Sequence, residues 1–368
     1  MTVLTVNAGS SSIRLAMMER VGAAFDRRAA FHGPQAVAEA EMVLGDFLAS
    51  QPAASVQAIA HRIVHGGEHL TQSCIITGEI EAQIARLASL APLHNPAALG
   101  WIRACRTVLG KNVPQVAVFD TAFYAELPQT ACRYALPRTW WKRFGVRRYG
   151  FHGLAHEAMW RRWRALRPDG PTPARVISLQ LGAGCSITAV RDGRPVDTSM
   201  GFSPLEGVVM ATRSGDIDPG LLLYLQRVLP MTPERMEKLL NEESGLLGVS
   251  GISADMRVLL ASNDAAAHFA VELYSYRARK CVGAYLAVLG GVDAILFGGG
   301  VGEYAPVIRE KILSGMQWAR IALDEDANRK AIGHETHINR AESGAEIWVI
   351  PVDEAVMLAE QAQAVLAN

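Results

Sequence analysis

The strongest constraint on the fold is an order of elements that occurs twice along the chain. Residues 2–19 (TVLTVNAGSSSIRLAMME) form a β-branched strand pattern, a Gly/Ser turn at 7–12 and an apolar run that predicts a returning strand. The same order restarts at 175–181, where a strand pattern ends in the turn GAGCS and strands are predicted at 187–191 and 194–199, joined by an Asp-Gly turn. The chain thus contains two openings of the form strand, glycine turn, strand.

Alternating strand and helix patterns fill the rest of the sequence. Further strands are predicted at 58–64, 113–119, 294–297 and 346–351, and the strand at 294–297 leads into a glycine-rich turn, GGGVGEY. Helices are predicted at 34–50, 96–109, 264–289 and 353–367. This alternation is typical of an α/β fold. A single core stops growing at about this length, which favours two domains.

Composition excludes several classes of protein. The 36 Lys and Arg residues balance 36 Asp and Glu residues, so the chain lacks the basic excess that binding a nucleic acid requires. The most apolar stretch, 281–301, is interrupted by Asp293 and glycines, and the start MTVLTVNAGS shows no secretory signal. We therefore expect no nucleic-acid partner, no membrane span and a cytoplasmic location. The five scattered cysteines are expected to be buried thiols.

Four turns rich in glycine or small residues follow predicted strands, at 7–12, 182–186, 212–218 and 298–302. Glycine allows backbone amides to approach an anion closely, although a tight turn is its more common role. The chain has no G-x-x-x-x-G-K-[ST] motif, and GGGVG does not match the G-x-G-x-x-G spacing. Several such turns favour phosphate binding by a different nucleotide fold.

Three other segments carry candidate anion-binding side chains. HRIVHGGE (61–68) and TRSGDID (212–218) place Arg62 and Arg213 beside glycines and acidic groups, where a guanidinium could hold a carboxylate or a phosphoryl group. A surface ion pair is the alternative for either arginine alone. In RRYGFHGLAH (147–156), two glycines favour a loop over a metal-binding helix face, and His152 is suited to donate to an anionic transition state.

Taken together, these motifs resemble the acetate and propionate kinase family over nearly the whole chain. The motifs that carry the resemblance occur in one order: VNAGSSSIR (6–14), HRIVHGGE (61–68), APLHNP (91–96), VFDTAF (118–123), RRYGFHG (147–153), VDTSMGFSPLEG (196–207), TRSGDIDP (212–219), SGISADMR (250–257), GGGVGE (298–303) and IPVDE (350–354).

The resemblance implies the ASKHA fold of actin, Hsp70 ATPase domains and sugar kinases, in which two duplicated α/β domains enclose the active site in an interdomain cleft. Residues 1–120 with 353–368 would form the amino-terminal domain, and 121–352 the nucleotide-binding, dimer-forming carboxyl-terminal domain. The implied reaction is reversible, direct in-line transfer of the ATP γ-phosphoryl group to acetate, giving acetyl phosphate and ADP. It would require Mg²⁺ or Mn²⁺ and take place in a homodimer.

Roles for individual residues also follow from the resemblance. Arg62 and Arg213 would hold the acyl carboxylate and the phosphoryl group, and His152 would donate to the oxygens of the transition state. Asp120 would orient an arginine or a metal-bound water, because a carboxylate substrate is already deprotonated at pH 7. The metal ligands would be Asn7 and Glu354.

The implied binding residues form two sets. The acyl group would contact Arg62, Val64, Leu93, Phe151 and Pro204. The nucleotide would contact Ser10, Ser12, Arg14, Gln180, Leu181, Gly182, Ala183, Gly184, Asp255, Met256, Arg257, Gly300, Val301, Gly302, Glu303 and Tyr304. Because one methylene in an apolar pocket is worth only about 1–3 kcal/mol, acetate and propionate are not separated by this pattern.

The sequence departs from the family pattern mainly in the nucleotide turns. The usual HLGNG is QLGAG at 180–184, the usual lysine is Arg14, and GIGEN ends in Tyr304. A propionate or butyrate kinase, or a kinase with a phosphoryl donor other than ATP, therefore remains an alternative. A non-catalytic nucleotide sensor is a further one, but it is disfavoured because the reaction-centre residues are retained.

Overall fold

The computed structural model describes residues 1–9, 13–21, 24–32, 39–51, 55–92 and 94–367. These residues form two compact units. The first unit comprises Met1–Ala125, Phe151–Leu154 and Asp353–Asn368, and the second comprises Glu126–Gly150 and Ala155–Val352. Each unit contains its own mixed β-sheet, so the α/β class predicted from the sequence is confirmed.

The first unit is organised around a sheet of six described strands in the order β3-β2-β1-β4-β6-β5. Strand β1 pairs in parallel with β4, and β4 with β6, whereas β1–β2, β2–β3 and β5–β6 are antiparallel. The strands are β1 (Thr2–Ala8), β2 (Ile13–Val21), β3 (Ala24–His32), β4 (Ala58–Ile63), β5 (Cys74–Ile75) and β6 (Gln115–Phe119).

The second unit repeats this topology. Its described strands have the order β9-β8-β7-β10-β12-β11, which is the first order with each strand number raised by six, and every pairing keeps its parallel or antiparallel sense. The two duplicated α/β domains implied by the family resemblance are therefore confirmed at the level of sheet topology. The strands are β7 (Arg175–Leu181), β8 (Cys185–Arg191), β9 (Arg194–Thr198), β10 (Ala294–Gly298), β11 (Thr336–His337) and β12 (Glu346–Val349).

Helices connect these strands. One helix, Gly153–Leu166, starts in the first unit and continues in the second. In chain order the helices are α1 (Ala40–Ala49), α2 (Gly78–Arg86), α3 (Asn95–Leu109), α4 (Gln129–Cys132), α5 (Arg138–Phe144), α6 (Gly153–Leu166), α7 (Pro219–Val228), α8 (Pro233–Glu242), α9 (Gly245–Ser250), α10 (Met256–Ala261), α11 (Ala265–Leu289), α12 (Gly299–Tyr304), α13 (Pro306–Leu313), α14 (Glu325–Lys330) and α15 (Glu354–Ala367). Short 3₁₀ turns occur at Leu87–Ser89, Asp120–Tyr124 and Gln317–Ala319.

The core of the first unit lies between its sheet and its helices. One cluster packs Leu4 and Leu15 of the sheet against Phe47 of α1 and Trp101 of α3. Helix α15 packs on β1, β4 and β6. All five residues of β6 are buried, as expected for a strand in the interior of an α/β sheet.

Local signals explain why most predicted elements form. Helix α11 starts after Asp264, whose side chain accepts from the Ala266 amide at 2.7 Å. The predicted Asp-Gly turn joins β8 to β9, with φ values of +49° at Asp192 and +83° at Gly193. No helix within the described residues has both the length and the apolar character needed to cross a membrane.

Three sequence expectations were wrong in part. The segment GGGVGEY is helix α12 from Gly299 onward, not a turn, because the Glu303 side chain accepts from the Gly299 amide and caps the helix. The predicted loop at 147–156 ends at His152, and His156 lies within α6. The helix predicted at 34–50 is α1, Ala40–Ala49, and residues 34–38 of that prediction lie outside the described residues.

All five cysteines are free thiols, as expected, but they are not all buried. Cys105, Cys132 and Cys185 are buried, whereas Cys74 and Cys281 are partly exposed.

Two buried histidines take part in the packing of the units. His61 Nε2 donates to Gln115 Oε1 at 2.7 Å in the first unit, and burial lowers its pKa to about 4. In the second unit, His156 lies between the hydroxyl groups of Ser178 at 2.7 Å and Ser186 at 2.8 Å, and burial lowers its pKa to about 3. Both imidazoles are therefore neutral at pH 7.

The two buried histidines should make the stability of the folded protein sensitive to acid. The unfolded chain protonates each imidazole near pH 6.5, whereas the folded chain resists protonation until about pH 4 for His61 and pH 3 for His156. Their contribution to the free energy of unfolding is complete above pH 6.5 and is lost as the pH falls, by about 1.4 kcal/mol per pH unit for each histidine. The free energy of unfolding, measured with urea between pH 7 and pH 4.5, should fall less steeply in the double variant His61→Gln/His156→Gln than in the wild-type protein. The exposed control His69→Gln should keep the wild-type slope, and a double variant that also keeps it contradicts the assignment.

Candidate active site

Three polar side chains meet at the carboxyl edge of the first sheet. Asn7 lies near the end of β1, Arg62 near the end of β4, and Asp120 directly after β6. These strands are parallel, with Val6 opposite His61 and Arg62 opposite Val118, so their carboxyl ends lie at one edge. Glu354, the first residue of α15, joins them there.

Hydrogen bonds and ion pairs connect these four residues. Arg62 donates to Asp120 Oδ2 from Nε at 3.0 Å and from Nη2 at 2.5 Å. Arg62 Nη1 donates to Asn7 Oδ1 at 3.1 Å and lies 3.7 Å from Glu354 Oε2. Asn7 Nδ2 donates to Glu354 Oε2 at 2.5 Å. The structure thus brings together Arg62, Asp120 and both predicted metal ligands.

Burial makes the charges of this cluster interdependent. The Asp120 side chain is 0% exposed and that of Arg62 is 12% exposed. Burial opposes the charge on Arg62, but Asp120 and Glu354 together raise the pKa of its guanidinium above the ordinary value, so it stays protonated. Burial raises the pKa of Asp120 above its usual range, and Arg62 opposes this shift only in part.

The cluster has the chemistry of a site for a small divalent cation. Asp120 Oδ1 is buried and accepts no hydrogen bond of ordinary geometry among the described residues, although the His152 amide acts on the same carboxyl group and opposes the rise in its pKa that burial causes. Two carboxylates outnumber one guanidinium, and the donor atoms are oxygens, which Mg²⁺ prefers. Within the part of the chain that the structure describes, no three His, Cys, Asp or Glu side chains are grouped as a metal site. Oxygen ligands of this kind fit an ion that keeps part of its water shell, as Mg²⁺ does.

His152 is fixed beside this cluster by an unusual backbone. Its φ is +58°, in the left-handed region that non-glycine residues seldom adopt. The next residue, Gly153, lies so close to the Asp120 turn that a Cβ would be 2.0 Å from the Asp120 backbone oxygen and 2.8 Å from Phe123 Cβ. Only glycine fits there, and this contact holds His152 next to Asp120.

Two of the predicted acyl-binding residues are buried in the first unit. Val64 follows β4, and Phe151 precedes His152. The Phe151 carbonyl accepts from Tyr124 Oη at 2.9 Å, and its ring meets the His65 ring edge to face at 5.5 Å. Leu93, Ser10 and Ser12 lie outside the described residues.

Sequence reasoning missed two polar residues that support the loop after β4. Asn95 Oδ1 accepts from the His65 amide at 3.3 Å, and Asn95 Nδ2 donates to the His65 carbonyl at 3.0 Å. Thr121 Oγ1 accepts from the Gly66 amide at 2.9 Å. Both residues are buried. In the sequence, the only indication of their role is that they lie within the motifs HNP and FDTAF.

Arg213 and Pro204 lie together in the second unit, on the long connection between β9 and α7. Arg213 Nη1 donates to the Pro204 carbonyl at 2.6 Å. Gly245 packs on the backbone of this connection, where a Cβ would lie 2.3 Å from the Met210 oxygen and 2.8 Å from the Arg213 oxygen. The backbone under Arg213 is therefore closely packed.

The residues predicted to bind the nucleotide occupy several places in the folded chain. Gln180, near the end of β7, pairs with Gly298 at the end of β10, and its Nε2 lies 2.9 Å from where a Gly299 Cβ would be. Gln180 Oε1 is buried and has no partner among the described residues. Asp255 caps α10 and pairs with Arg257 at 2.6 Å. Arg14 lies on β2, opposite Asn7.

Helix α12 carries the remaining predicted nucleotide residues. Glu303 Oε1 accepts from the Gly299 amide at 3.0 Å and from the Val352 amide at 3.2 Å. The Gly299 amide therefore already donates a hydrogen bond within the protein. The buried Arg309 donates to the carbonyls of Gly302 at 2.7 Å and Glu303 at 3.2 Å. Tyr304, which ends the helix, is 58% exposed.

Comparisons with known proteins identify the family of this chain. A model of the acetokinase family matches residues 26–360. The chain is 46% identical over 308 residues to an acetate kinase from Solibacter usitatus, covering 83% of this chain and 74% of the relative. It superposes on the crystal structure of Porphyromonas gingivalis acetate kinase and on that of a propionate kinase from Francisella tularensis, each with a TM-score of 0.88, 34% identity and 99% coverage of both chains. The chain therefore belongs to the acetokinase family.

Proposed function

We propose that this protein is an acetate kinase that transfers the γ-phosphoryl group of ATP reversibly to acetate. One acetate oxygen attacks the γ-phosphorus in line, the bond from this phosphorus to the β–γ bridging oxygen breaks, and ADP leaves with that oxygen. The observation that carries the proposal is the cluster of Arg62, Asp120, Asn7 and Glu354 beside His152, in a chain of the acetokinase family.

The proposed task of the protein is to position the reactants and neutralise charge. Acetate is already ionised at pH 7, so the reaction needs no general base to activate it. Arg62 would bind the carboxylate, and its bonds to Asp120 and Asn7 fix the plane of its guanidinium before the substrate arrives. We therefore assign Asp120 to orienting Arg62, not to proton transfer.

Two other side chains would act on the phosphoryl group. His152 is fixed by the tight contact of Gly153 with the Asp120 turn, and we propose that it donates to an equatorial oxygen in the transition state. Arg213, oriented by the Pro204 carbonyl, would hold the same group as it transfers.

Asp120, Asn7 and Glu354 would hold Mg²⁺, directly or through water, and Mn²⁺ has similar ligand preferences. The metal ion would neutralise phosphate charge. The buried Oδ1 of Asp120, which accepts no hydrogen bond of ordinary geometry among the described residues, supports this placement.

Residues 1–120 with 353–368, and residues 121–352, are proposed as the two domains. The compact units support a two-part division, although residues 121–125 and Phe151–Leu154 fall in the first unit. We propose a cytoplasmic location because ATP, the phosphoryl donor, is supplied there.

A propionate kinase is the second candidate function. The chain is as similar to the solved Francisella tularensis propionate kinase as it is to the Porphyromonas gingivalis acetate kinase. The apolar residues Val64 and Phe151 offer no polar group to distinguish the two acids, and one methylene is worth about 1–3 kcal/mol.

A hydroxamate assay tests the proposed function. The purified protein should form acyl phosphate from acetate with ATP and Mg²⁺, and EDTA should abolish the reaction. Propionate and butyrate should be compared with acetate by kcat/KM, and GTP and pyrophosphate with ATP. A higher kcat/KM for propionate than for acetate would identify propionate as the preferred substrate. Failure of every acid and donor pair would refute the kinase proposal.

The reaction-centre assignment predicts large effects from two substitutions. Arg62→Ala and Arg213→Ala should each lower kcat/KM by about 10³-fold or more, because each removes a charge that stabilises the transferring group. The matched control is Arg194→Ala, whose side chain is 81% exposed and 3.8 Å from Glu126, and it should keep wild-type turnover. Near-wild-type turnover in either reaction-centre variant contradicts that assignment.

We also propose that the protein is a homodimer. Helix α7 has the sequence PGLLLYLQRV, yet none of its residues is buried within its own chain. Leu223 is 60% exposed and Tyr224 is 54% exposed. We propose that a second copy of the chain packs against this apolar helix.

Sedimentation equilibrium tests the dimer and this interface. The wild-type protein should have twice the 39.7 kDa chain mass. Leu223→Glu/Tyr224→Glu should shift it to the monomer, while Val258→Glu, a control at a 47% exposed apolar residue of α10, should not. A monomeric wild-type protein refutes the dimer, and a dimeric double variant refutes the role of α7.

A further inference from the structure

Outside the cluster of the first unit, a second charged network lies in the second unit, around Glu206. Arg148 Nη2 donates to Glu206 Oε1, and Tyr134 Oη donates to Glu206 Oε2. The Phe202 amide donates to Tyr134 Oη at 2.8 Å. The side chains are largely shielded, with 17% of Arg148 and 30% of Glu206 exposed.

Arg148 extends this network to neighbouring backbone. Its Nη1 donates to the carbonyls of Thr198 at 2.9 Å and Ser199 at 3.1 Å, and its Nε donates to that of Ala131 at 3.2 Å. One guanidinium therefore joins the end of β9 to Glu206 and to the segment before Tyr134.

The loop that contains Glu206 closes tightly on the network. A Cβ on Gly201 would lie 1.6 Å from Glu206 Oε2 and 2.1 Å from Tyr134 Oη. The Gly201 carbonyl also accepts from the Tyr149 amide at 2.9 Å. This close packing leaves residues 199–206 little room to move while the network is intact.

The same loop makes contact with Arg213. The Pro204 carbonyl, two residues before Glu206, accepts from Arg213 Nη1 at 2.6 Å. Gly207 exchanges hydrogen bonds with Asp216, from its amide to Oδ1 at 2.7 Å and from the Asp216 amide to its carbonyl at 2.8 Å. The position of the Pro204 carbonyl therefore depends on how the loop is held at Glu206.

We infer that Tyr134, Glu206 and Arg148 are positioning residues that hold the loop at 199–206 and, through the Pro204 carbonyl, aim the guanidinium of Arg213. The inference rests on the proposed function, in which Arg213 acts on the phosphoryl group. An arginine side chain has many rotamers, and a group that is not held in its productive geometry loses much of its catalytic effect. Loosening the loop should therefore slow phosphoryl transfer more than it weakens ATP binding.

A network that only stabilised the fold would behave differently. Its loss would lower the melting temperature, and any effect on the rate would be independent of Arg213. A positioning role requires the rate effect to disappear once Arg213 is absent. A double-mutant cycle separates these cases.

The experiment combines Tyr134→Phe, which removes one hydroxyl, with Arg213→Ala. Tyr134→Phe alone should lower kcat by about ten- to a hundred-fold while the KM for ATP changes less than twofold. In the Arg213→Ala background it should have almost no further effect. The matched control Tyr276→Phe, at a 59% exposed tyrosine of α11, should leave kcat unchanged. An equal loss with and without Arg213, or no loss of kcat, overturns the inference.

Amide hydrogen exchange gives a readout that does not depend on activity. Tyr134→Phe should increase exchange within residues 199–216 and leave β7 and β8 unchanged. Unchanged exchange at 199–216 overturns the inference even if the kinase assay succeeds. If the wild-type protein forms no acyl phosphate, the proposed function fails, whereas faster exchange would still support the loop-holding role. Glu206→Gln, which keeps one acceptor oxygen, should fall between Tyr134→Phe and the wild type in both measurements.

Discussion

The buried ion pair between Arg62 and Asp120 is the interaction on which the first unit depends. Two charges removed from water are tolerated only when they are paired and hydrogen-bonded, and the loss of one partner leaves the other uncompensated. The pair lies at the ends of β4 and β6, so it requires the parallel register of these strands. Two later segments of the chain lie beside this pair. Residue 353 brings the chain back to the first unit so that Glu354 faces Arg62, and Gly153 allows His152 to approach the Asp120 turn.

The two units share one sheet topology, but the side chains at the carboxyl edges of their sheets differ. Asn7 is the penultimate residue of β1, and Gln180 holds the same place in β7, the corresponding strand of the second sheet. Asn7 is bonded to Arg62 and Glu354, whereas Gln180 Oε1 has no partner among the described residues. The first edge thus carries a buried ion pair, whereas the second is rich in glycine and its carboxylate, Glu303, is bonded to backbone amides. A glycine-rich edge allows a ligand to approach the backbone, while the charged edge fixes side chains.

Local sequence patterns predicted most of the strands but only four of the described helices, and few of the contacts between these elements. Helix α3 and helix α11 follow from apolar periodicity and from residues at their starts, and the Asp-Gly turn predicts the β8–β9 hairpin. Helix α12 was missed because its first amide is capped by a side chain within the helix itself. The family motifs named Asn7 and Glu354, but their hydrogen bond joins residues 347 positions apart, which no local pattern reveals. The network around Glu206 was missed for the same reason, since Tyr134 lies 72 positions away.

The formal net charge of zero says little about the reaction centre, because charge acts locally. The cluster in the first unit contains one guanidinium and two carboxylates, so it is not a cationic site by itself. Acetate and ATP are both anions and would be repelled by the excess carboxylate unless a cation offsets it. In the proposed function, the carboxylates that pair with Arg62 would therefore require a divalent cation beside them. Orientation of the arginine and the proposed dependence on a divalent cation are thus two consequences of one arrangement of charges.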